Sequence, residues 1–442
     1  MTLPRGVLLV SGSAASATLR YRVRQPEEAL RAAGVRTAAV HVSDRRAAAL
    51  ADAADVVVLY RCPGSAELVA LVERLRRRPV PPLVTYDVDD LVFRVEHLAH
   101  LPFLGSLTAA QRSTFERDVR LRERLVPLAD VVTGSTQEVL DELAKVSDAP
   151  GILLPNAVGR VQRRVSDAAL GTRRAGDRFR VGYFSGSATH DEDWRVVEPV
   201  LVELLRSRPD IDLVLVGKVR PSAALDAVGG RVRRLPYVGW TELPDMLRAV
   251  DVTVAPLAPN PFTEAKSAIK WLEAALVGTP TVASPSGPFR AAVEDGRTGF
   301  LASTPDEWSS ALLRLAGDPG LRGAVGSAAR AAALGRYGPD AQAPRLLDVV
   351  SRRPEPDRWR PFPARHADPL PSLWRWAPTR LEAYPFEAGL ATVQLHPAGR
   401  DRAAAAVTGA AGRAAAGWRR VARAVRARLS GRRRRSAGGT SP

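Results

Sequence analysis

This chain predicts an α/β protein: two successive domains with parallel sheets, followed by a basic C-terminal tail. Three observations carry that expectation. Short apolar runs alternate with amphipathic helical patterns from the N-terminus to about residue 316, as βα units require. The alternation pauses once, over the polar Arg- and Gly-rich residues 159–177, and then restarts. Finally, the net charge of +17 is unevenly placed: residues 351–442 hold 19 Arg, no Lys and 6 acidic residues, so +13 lies there and +4 in residues 1–350.

The elements follow in order. In a first domain, residues 1–158, strands are expected at 7–10, 37–42, 56–60, 83–86, 131–133 and 152–154. Helices are expected between them at 24–33, 66–76, 108–128 and 137–145. Residues 159–177 read as the linker. A second domain, 178–350, opens with a strand at 179–184 and a helix at 193–206, whose Val196, Val197, Val200, Leu201, Leu204 and Leu205 share one face. Further strands are expected at 211–216, 232–235, 251–256, 281–284 and 299–301, with helices at 243–249 and 306–316. No short-period repeat is visible, which argues against a solenoid. Residues 351–400, rich in Pro, Arg and Trp, are expected to pack back onto the first domain in part, and 401–442 form an Ala/Arg-rich tail.

Composition narrows the class. A hydrophobic content of 45% suits a globular core. The single cysteine, Cys62, excludes an intramolecular disulfide and suits a reducing compartment. Residues 7–10 are too short for a signal-peptide core and read as a strand. No apolar run approaches the roughly 18 residues that span a bilayer. A cytoplasmic location is expected, at most peripheral on a membrane.

Residues 260–301 carry the chemistry. Thr263 is placed to cap a helix on which Lys266, Lys270 and Glu273 fall at i, i+4 and i+7, on one face. Ala268, Ile269, Leu272, Ala275 and Leu276 take the core side. Two ammonium groups and free N–H groups near a helix start suit a diphosphate, and a carboxylate one turn on suits vicinal sugar hydroxyls. Together they describe a nucleotide-sugar site. The alternative is a solvated charged face.

The same stretch carries a family resemblance. K-S-x-x-K-W-x-E-A-A from Lys266, G-x-P-T-V-A-S from Gly278 and E-D-G-x-T-G-F-L from Glu294 resemble the retaining glycosyltransferases of the "glycosyl transferases group 1" type. The resemblance implies the GT-B fold, two Rossmann-like domains facing across a cleft, and a ribose-binding role for Glu273. It departs from the family's E-x7-E pattern, because Ala265 stands where the first glutamate is expected, between Glu264 and Lys266.

Other positions join the expected site. The turn from Gly182 to Asp193 resembles the family's G-S-x-x-H-x-x-D turn under the donor diphosphate. Gly186 and Ser187 there let N–H groups approach a phosphate, and His190 either assists or caps the next helix. Lys218, after a strand, is a donor contact or a surface lysine. Tyr237, Val238, Gly239 and Trp240 match the family's loop flanking the base, where packing is the commoner fate of a Tyr or Trp and base stacking the alternative, and Gly287 resembles the family's glycine turn at the donor. In the first domain, Asp89, Asp90 and His97 are candidate proton acceptors, grouped with Lys266 as catalytic. Arg22 and Arg24, with Arg20 around Tyr21, are candidates for gripping an acceptor or a phosphate. Asp87 and Asp89 mimic a metal-binding D-x-D, but the GT-B resemblance implies neutralisation by cations, so neither metal nor cofactor is expected.

The reading is a transferase moving a sugar from a nucleoside-diphosphate donor to an acceptor hydroxyl on a glycan, lipid-linked or natural-product molecule. A GT-B sugar-nucleotide epimerase or hydrolase, or a non-catalytic nucleotide-sugar-binding protein, remains open. In the tail, Trp418, Val421, Val425 and Leu429 form a stripe flanked by Arg419, Arg420, Arg423 and Arg426. Residues 402–430 therefore read as a helix for an anionic membrane surface or as an inert tail, with nucleic acid the weakest reading.

Overall fold

The structure is a computed structural model, and it describes residues 3–13, 16–101, 104–105, 107–171, 178–186 and 190–354. The expectations for Ser187 and for the segment beyond residue 354, including the stripe from Trp418 to Leu429, lie outside those residues.

Six strands form the first sheet: β1 Gly6–Ser11, β2 Arg36–His41, β3 Val56–Tyr60, β4 Leu83–Val88, β5 Val131–Gly134 and β6 Gly151–Leu153. Six more form the second: β7 Phe179–Ser185, β8 Ile211–Gly217, β9 Val232–Leu235, β10 Val252–Ala255, β11 Thr281–Ala283 and β12 Phe300–Leu301. Every strand pairing is parallel. The orders are β2-β1-β3-β4-β5-β6 and β12-β11-β10-β7-β8-β9. Near-continuous apolar strands such as VVVLY at β3 fit sheets covered by helices on both faces. One face of the first sheet buries Leu8, Val57 and Val84, and the other buries Val7, Leu9 and Val56.

Each order reverses once, between β1 and β3 and between β7 and β10. In open α/β sheets such reversals open a crevice at the carboxyl ends of the strands. The second crevice lies between the turn after β7, at Gly186, and the segment after β10, which leads to Lys266. At the first, Gly12 and Arg61 meet so closely that a Cβ on Gly12 would lie 2.3 Å from the Arg61 carbonyl oxygen. Among the described residues, Arg61 is the non-glycine residue with positive φ, at 49°.

Three departures from the sequence reading matter. The helix expected to run on from Thr263 is two helices, Pro261–Glu264 and Ile269–Leu276, and the first cap is Asn260, whose Oδ1 accepts from Thr263 N. Lys266 therefore sits in the break, not on the Lys270 face. Within 159–177, Arg160–Leu170 is helical and packs beside the helices of the second domain. Last, the helix Pro339–Val350, within the stretch assigned to the second domain, already packs on the first, while the return expected of residues 351–400 lies almost wholly outside the described residues. Its Leu346 and Val350 are buried with Val7, Leu9 and Val23.

Candidate active site

The second-domain crevice gathers the predicted cations. Lys270 lies in the first turn of Ile269–Leu276, whose cap residue, Ala268, offers no side-chain acceptor. Its stem is partly exposed, but Nζ is buried and has no hydrogen-bond partner among the described residues. That ammonium rests 4.7 Å from the Tyr183 ring centroid. Burial, with the nearby Lys266 charge, pushes it down to about 8, while Asp193 and Glu273 work the other way. Lys266 Nζ lies over the Phe262 ring, 4.8 Å from its centroid. His190 Nδ1 pairs with Asp193 Oδ2 at 2.8 Å. Burial and then the Lys270 charge push His190 down to about 4, so the ring is neutral at pH 7 and Nε2 is left for another partner. Asp193 Oδ1 accepts from Ala258 N at 2.9 Å, which fixes the pair to the segment after β10.

A buried, unpartnered ammonium is costly unless something offsets it. Neutral His190 spends its one N–H on Asp193, which leaves Nε2 an acceptor; beside the ammonium lie a second lysine and the start of a helix. Those are the donors an anion needs. Among the described residues, a Cβ added at Gly186 would meet the Tyr237 ring, at 3.9 Å.

Glu273 lies one turn beyond Lys270, and both its partners come from the first domain. Arg20 Nη2 and Tyr21 Oη each donate to Oε1 at 2.6 Å. The remaining donor-side positions are more peripheral. Ser267 Oγ accepts from Asn156 Nδ2 at 2.9 Å, across the domains. Lys218 is exposed, with its N–H on Ser185 O. Val238 packs beside Val214, Val216 and Val250. Gly287 does serve a close approach, but to a protein group. A Cβ there would fall 1.8 Å from Glu138 Oε1, and its N–H donates to Glu264 Oε2 at 3.0 Å.

The first-domain positions are bound up in ion pairs. Arg22 is 1% exposed and grips Asp87 with both Nε and Nη2, so it faces the sheet interior and not an open surface. Thr133 Oγ1 and the carbonyl of Leu154 complete that knot. Arg24 is 31% exposed and pairs with Glu27 at 3.2 Å. Asp89 accepts from Tyr60 Oη at 2.9 Å and from Arg61 Nε at 2.6 Å, and burial raises its carboxyl even with Arg61 beside it. Asp90 also meets Arg61 and keeps 23% exposure. His97 is buried, with Nε2 3.0 Å from Glu142 Oε2. Glu96, His97 and Glu142 form the one metal-competent grouping among the described residues, and Arg94 pairs with both of its carboxylates. Arginines likewise occupy Asp87 and Asp89, so the D-x-D carboxylates are neutralised by protein cations.

The sequence reading had passed over Arg61, Tyr183, Gln162 and Asn156. Only Asp193 carried a signal, as the last residue of the turn it closes. The two domains meet through such groups: Thr136 Oγ1 donates to Ala265 O at 3.0 Å, and Phe262 is buried in the first-domain core.

Comparison with known proteins agrees with the fold described above. Residues 181–318 match the family model described as glycosyl transferases group 1. A D-inositol 3-phosphate glycosyltransferase of Streptosporangium roseum is 37% identical over 144 residues, 30% of this chain and 31% of that protein. One of Streptomyces bingchenggensis is 29% identical over 254 residues, 52% of this chain and 54% of that protein. The chain thus spans about half the length, or less, of these curated relatives. Among solved structures, sucrose-phosphate synthase of Thermosynechococcus elongatus aligns with TM-score 0.54 and 18% identity, over 78% of this chain and 98% of that one. Anabaena HepE in complex with UDP aligns with TM-score 0.52 and 15% identity, over 78% and 99%. The fold is GT-B, and the chain resembles the group 1 glycosyltransferases.

Proposed function

We propose that this chain is a glycosyltransferase that moves a sugar from a nucleoside-diphosphate donor to an acceptor hydroxyl. The observation that carries the reading is the buried, unpartnered Lys270 ammonium, one helical turn from the Glu273 carboxylate at the β7/β10 crevice. In this reading Lys270, Lys266, the Gly186 turn and the helix N–H groups hold the diphosphate, with no metal ion required. Glu273 holds the ribose. The bond between the anomeric carbon and the diphosphate oxygen breaks, a bond to the acceptor oxygen forms, and the acceptor proton leaves with the nucleoside diphosphate or a first-domain base. Asp90, the more exposed of the Arg61 carboxylates, is the first choice for meeting the acceptor. Retention at the anomeric carbon is proposed from the family resemblance.

The relatives' name makes D-inositol 3-phosphate the first acceptor to test, ahead of glycan and lipid-linked hydroxyls. A role for residues 402–430 on anionic membranes is likewise proposed; removal of 402–442 should abolish sedimentation with phosphatidylglycerol vesicles and leave nucleotide binding intact. Among the described residues, no helix is long and apolar enough to cross a membrane.

The test is thermal stabilisation by UDP, GDP, ADP and dTDP without added metal, on wild type, Lys270→Ala and Glu273→Ala. The reading expects one nucleotide to stabilise wild type selectively and both variants to lose the shift. Addition of the matching nucleotide sugar and D-inositol 3-phosphate should then release nucleoside diphosphate. No shift with any nucleotide would overturn the proposal.

A further inference from the structure

The nucleoside end of the site holds a side chain from the other domain. We propose that Arg20 is a positioning residue for Glu273, so that nucleotide recognition by the second domain depends on the first. The inference rests on the donor-site reading above and adds a dependence that reading does not contain.

Four observations carry it. Arg20 and Tyr21 both bond one oxygen of Glu273, and Arg20 Nη2 also donates to Tyr21 Oη at 2.9 Å, closing a three-membered network. Among the described residues no donor reaches Oε2, so one oxygen is fixed and the other is presented. Arg20 is also held flat. Its guanidinium lies 4.4 Å from the Tyr21 ring centroid and 5.4 Å from that of Trp240, in the loop expected to flank the base. Among the described residues its Nε is buried without a hydrogen-bond partner, a donor left open for a ligand.

The last observation is the backbone. Residues Arg20–Arg24 form a π-helical turn. Such turns insert an extra residue into a helix and cluster at functional sites. This one sends Arg20 and Tyr21 to Glu273 while Arg22 turns inward to Asp87. Gln162 Nε2, 3.4 Å from Tyr21 Oη, ties the same network to the helix that joins the domains.

The chemistry follows. A carboxylate with both oxygens free samples several rotamers, and each must be given up when ribose binds. Holding Oε1 with two donors removes that cost and aims Oε2 at a hydroxyl. Arg20 Nε then lies ready to donate to the neighbouring hydroxyl of a vicinal diol. A ribose satisfies both groups, and a 2′-deoxyribose leaves one of them buried and unpaired.

The experiment measures affinities of UDP, GDP and ADP, each against its 2′-deoxy counterpart, for the full chain and for Arg20→Ala, Arg20→Lys and Tyr21→Phe. The expected result for the nucleotide that binds wild type is about tenfold weaker binding in Arg20→Ala, the size of one charge-assisted hydrogen bond. The preference for ribose over 2′-deoxyribose should collapse with it, and Arg20→Lys should restore part of both. Tyr21→Phe should lose less affinity, with an intact apo melting temperature showing that the network can be cut without unfolding. Equal weakening towards both sugars would mean a merely structural role and would overturn the inference, as would unchanged or tighter binding in Arg20→Ala. Those outcomes leave the proposed function standing; a wild type that binds no nucleotide removes both.

Discussion

Lys270 stands its ammonium over the Tyr183 ring, 4.7 Å from the centroid, and the two residues come from the helix after β10 and from β7, the strands that flank the crevice. The ring face gives that charge a close contact, Asp193 and Glu273 add attraction through space, and a cation over an aromatic ring recovers part of the cost of burial. What remains uncompensated is available to a ligand.

A pH dependence follows with a definite sign. Lys270 is pushed from an ordinary 10.5 down to about 8 by burial. Nucleotide affinity should therefore fall as pH rises through about 8, where the ammonium is lost. The free protein should do the opposite. Between about 8 and 10.5 the unfolded chain holds a proton that the folded chain has released, so this group adds stability as pH rises through that window. Titration calorimetry with the bound nucleotide from pH 7 to 9.5, beside denaturant melts of the free protein, measures both slopes.

Replacing that lysine should separate binding from stability. Lys270→Met removes a buried, unpartnered charge while keeping most of the side-chain volume. We expect a melting temperature equal to or above that of wild type, with nucleotide affinity reduced at least about tenfold. A matching fall in both quantities would argue that Lys270 holds the fold together and not a ligand.

Arg22 should behave in the reverse way. It is 1% exposed, pairs with Asp87 through two nitrogens and also reaches the Leu154 carbonyl. Arg22→Ala leaves the Asp87 carboxylate buried and short of a cation, at a cost of about 3–5 kcal/mol. Chemical denaturation should show that loss. At a temperature where the variant is still folded, its nucleotide affinity should match wild type.

A fourth expectation concerns the first-domain crevice. Gly12→Ala would place a methyl group 2.3 Å from the Arg61 carbonyl and 2.6 Å from Cys62 Cα, and both are backbone atoms that cannot swing aside. The strand ends must separate, at a cost of about 1–3 kcal/mol. Because Arg61 carries Asp89 and Asp90, transfer to acceptor should fall further than nucleotide binding does, which a comparison of acceptor and donor KM values reads directly.

Much of the scaffold was legible in the chain because its signals are local. The apolar run VVVLY and the pattern of Ala66–Arg76 have the observed bounds, and both depend only on neighbours in sequence. The break between Glu264 and Ile269 was not legible. Residues 264–276 contain no proline or glycine and include good helix formers, so propensity favours one helix. Contacts from the other domain decide otherwise: Thr136 takes the Ala265 carbonyl and Asn156 takes Ser267. Site residues divide the same way. Lys270 and Glu273 announced themselves by spacing along one helix. The pairing of Glu273 with Arg20 joins residues 253 positions apart, and no periodicity records it. Nor could Arg22 and Arg24 be told apart by type, since the π turn alone sends one inward and leaves the other at the surface.

The helix Pro339–Val350 has a consequence for how the molecule comes into being. Leu346 and Val350 complete a core whose other members all come from the first domain, from Val7 and Leu9 to Val131 and Leu154. On the ribosome, the first domain emerges early yet waits for its last wall until the second has been translated. A nascent chain paused near residue 338 would display that unfinished apolar face to chaperones. A fragment cut at the apparent boundary near residue 158 would carry the same open face, so the two halves of this protein are separable on a diagram of its sheets but not at the bench.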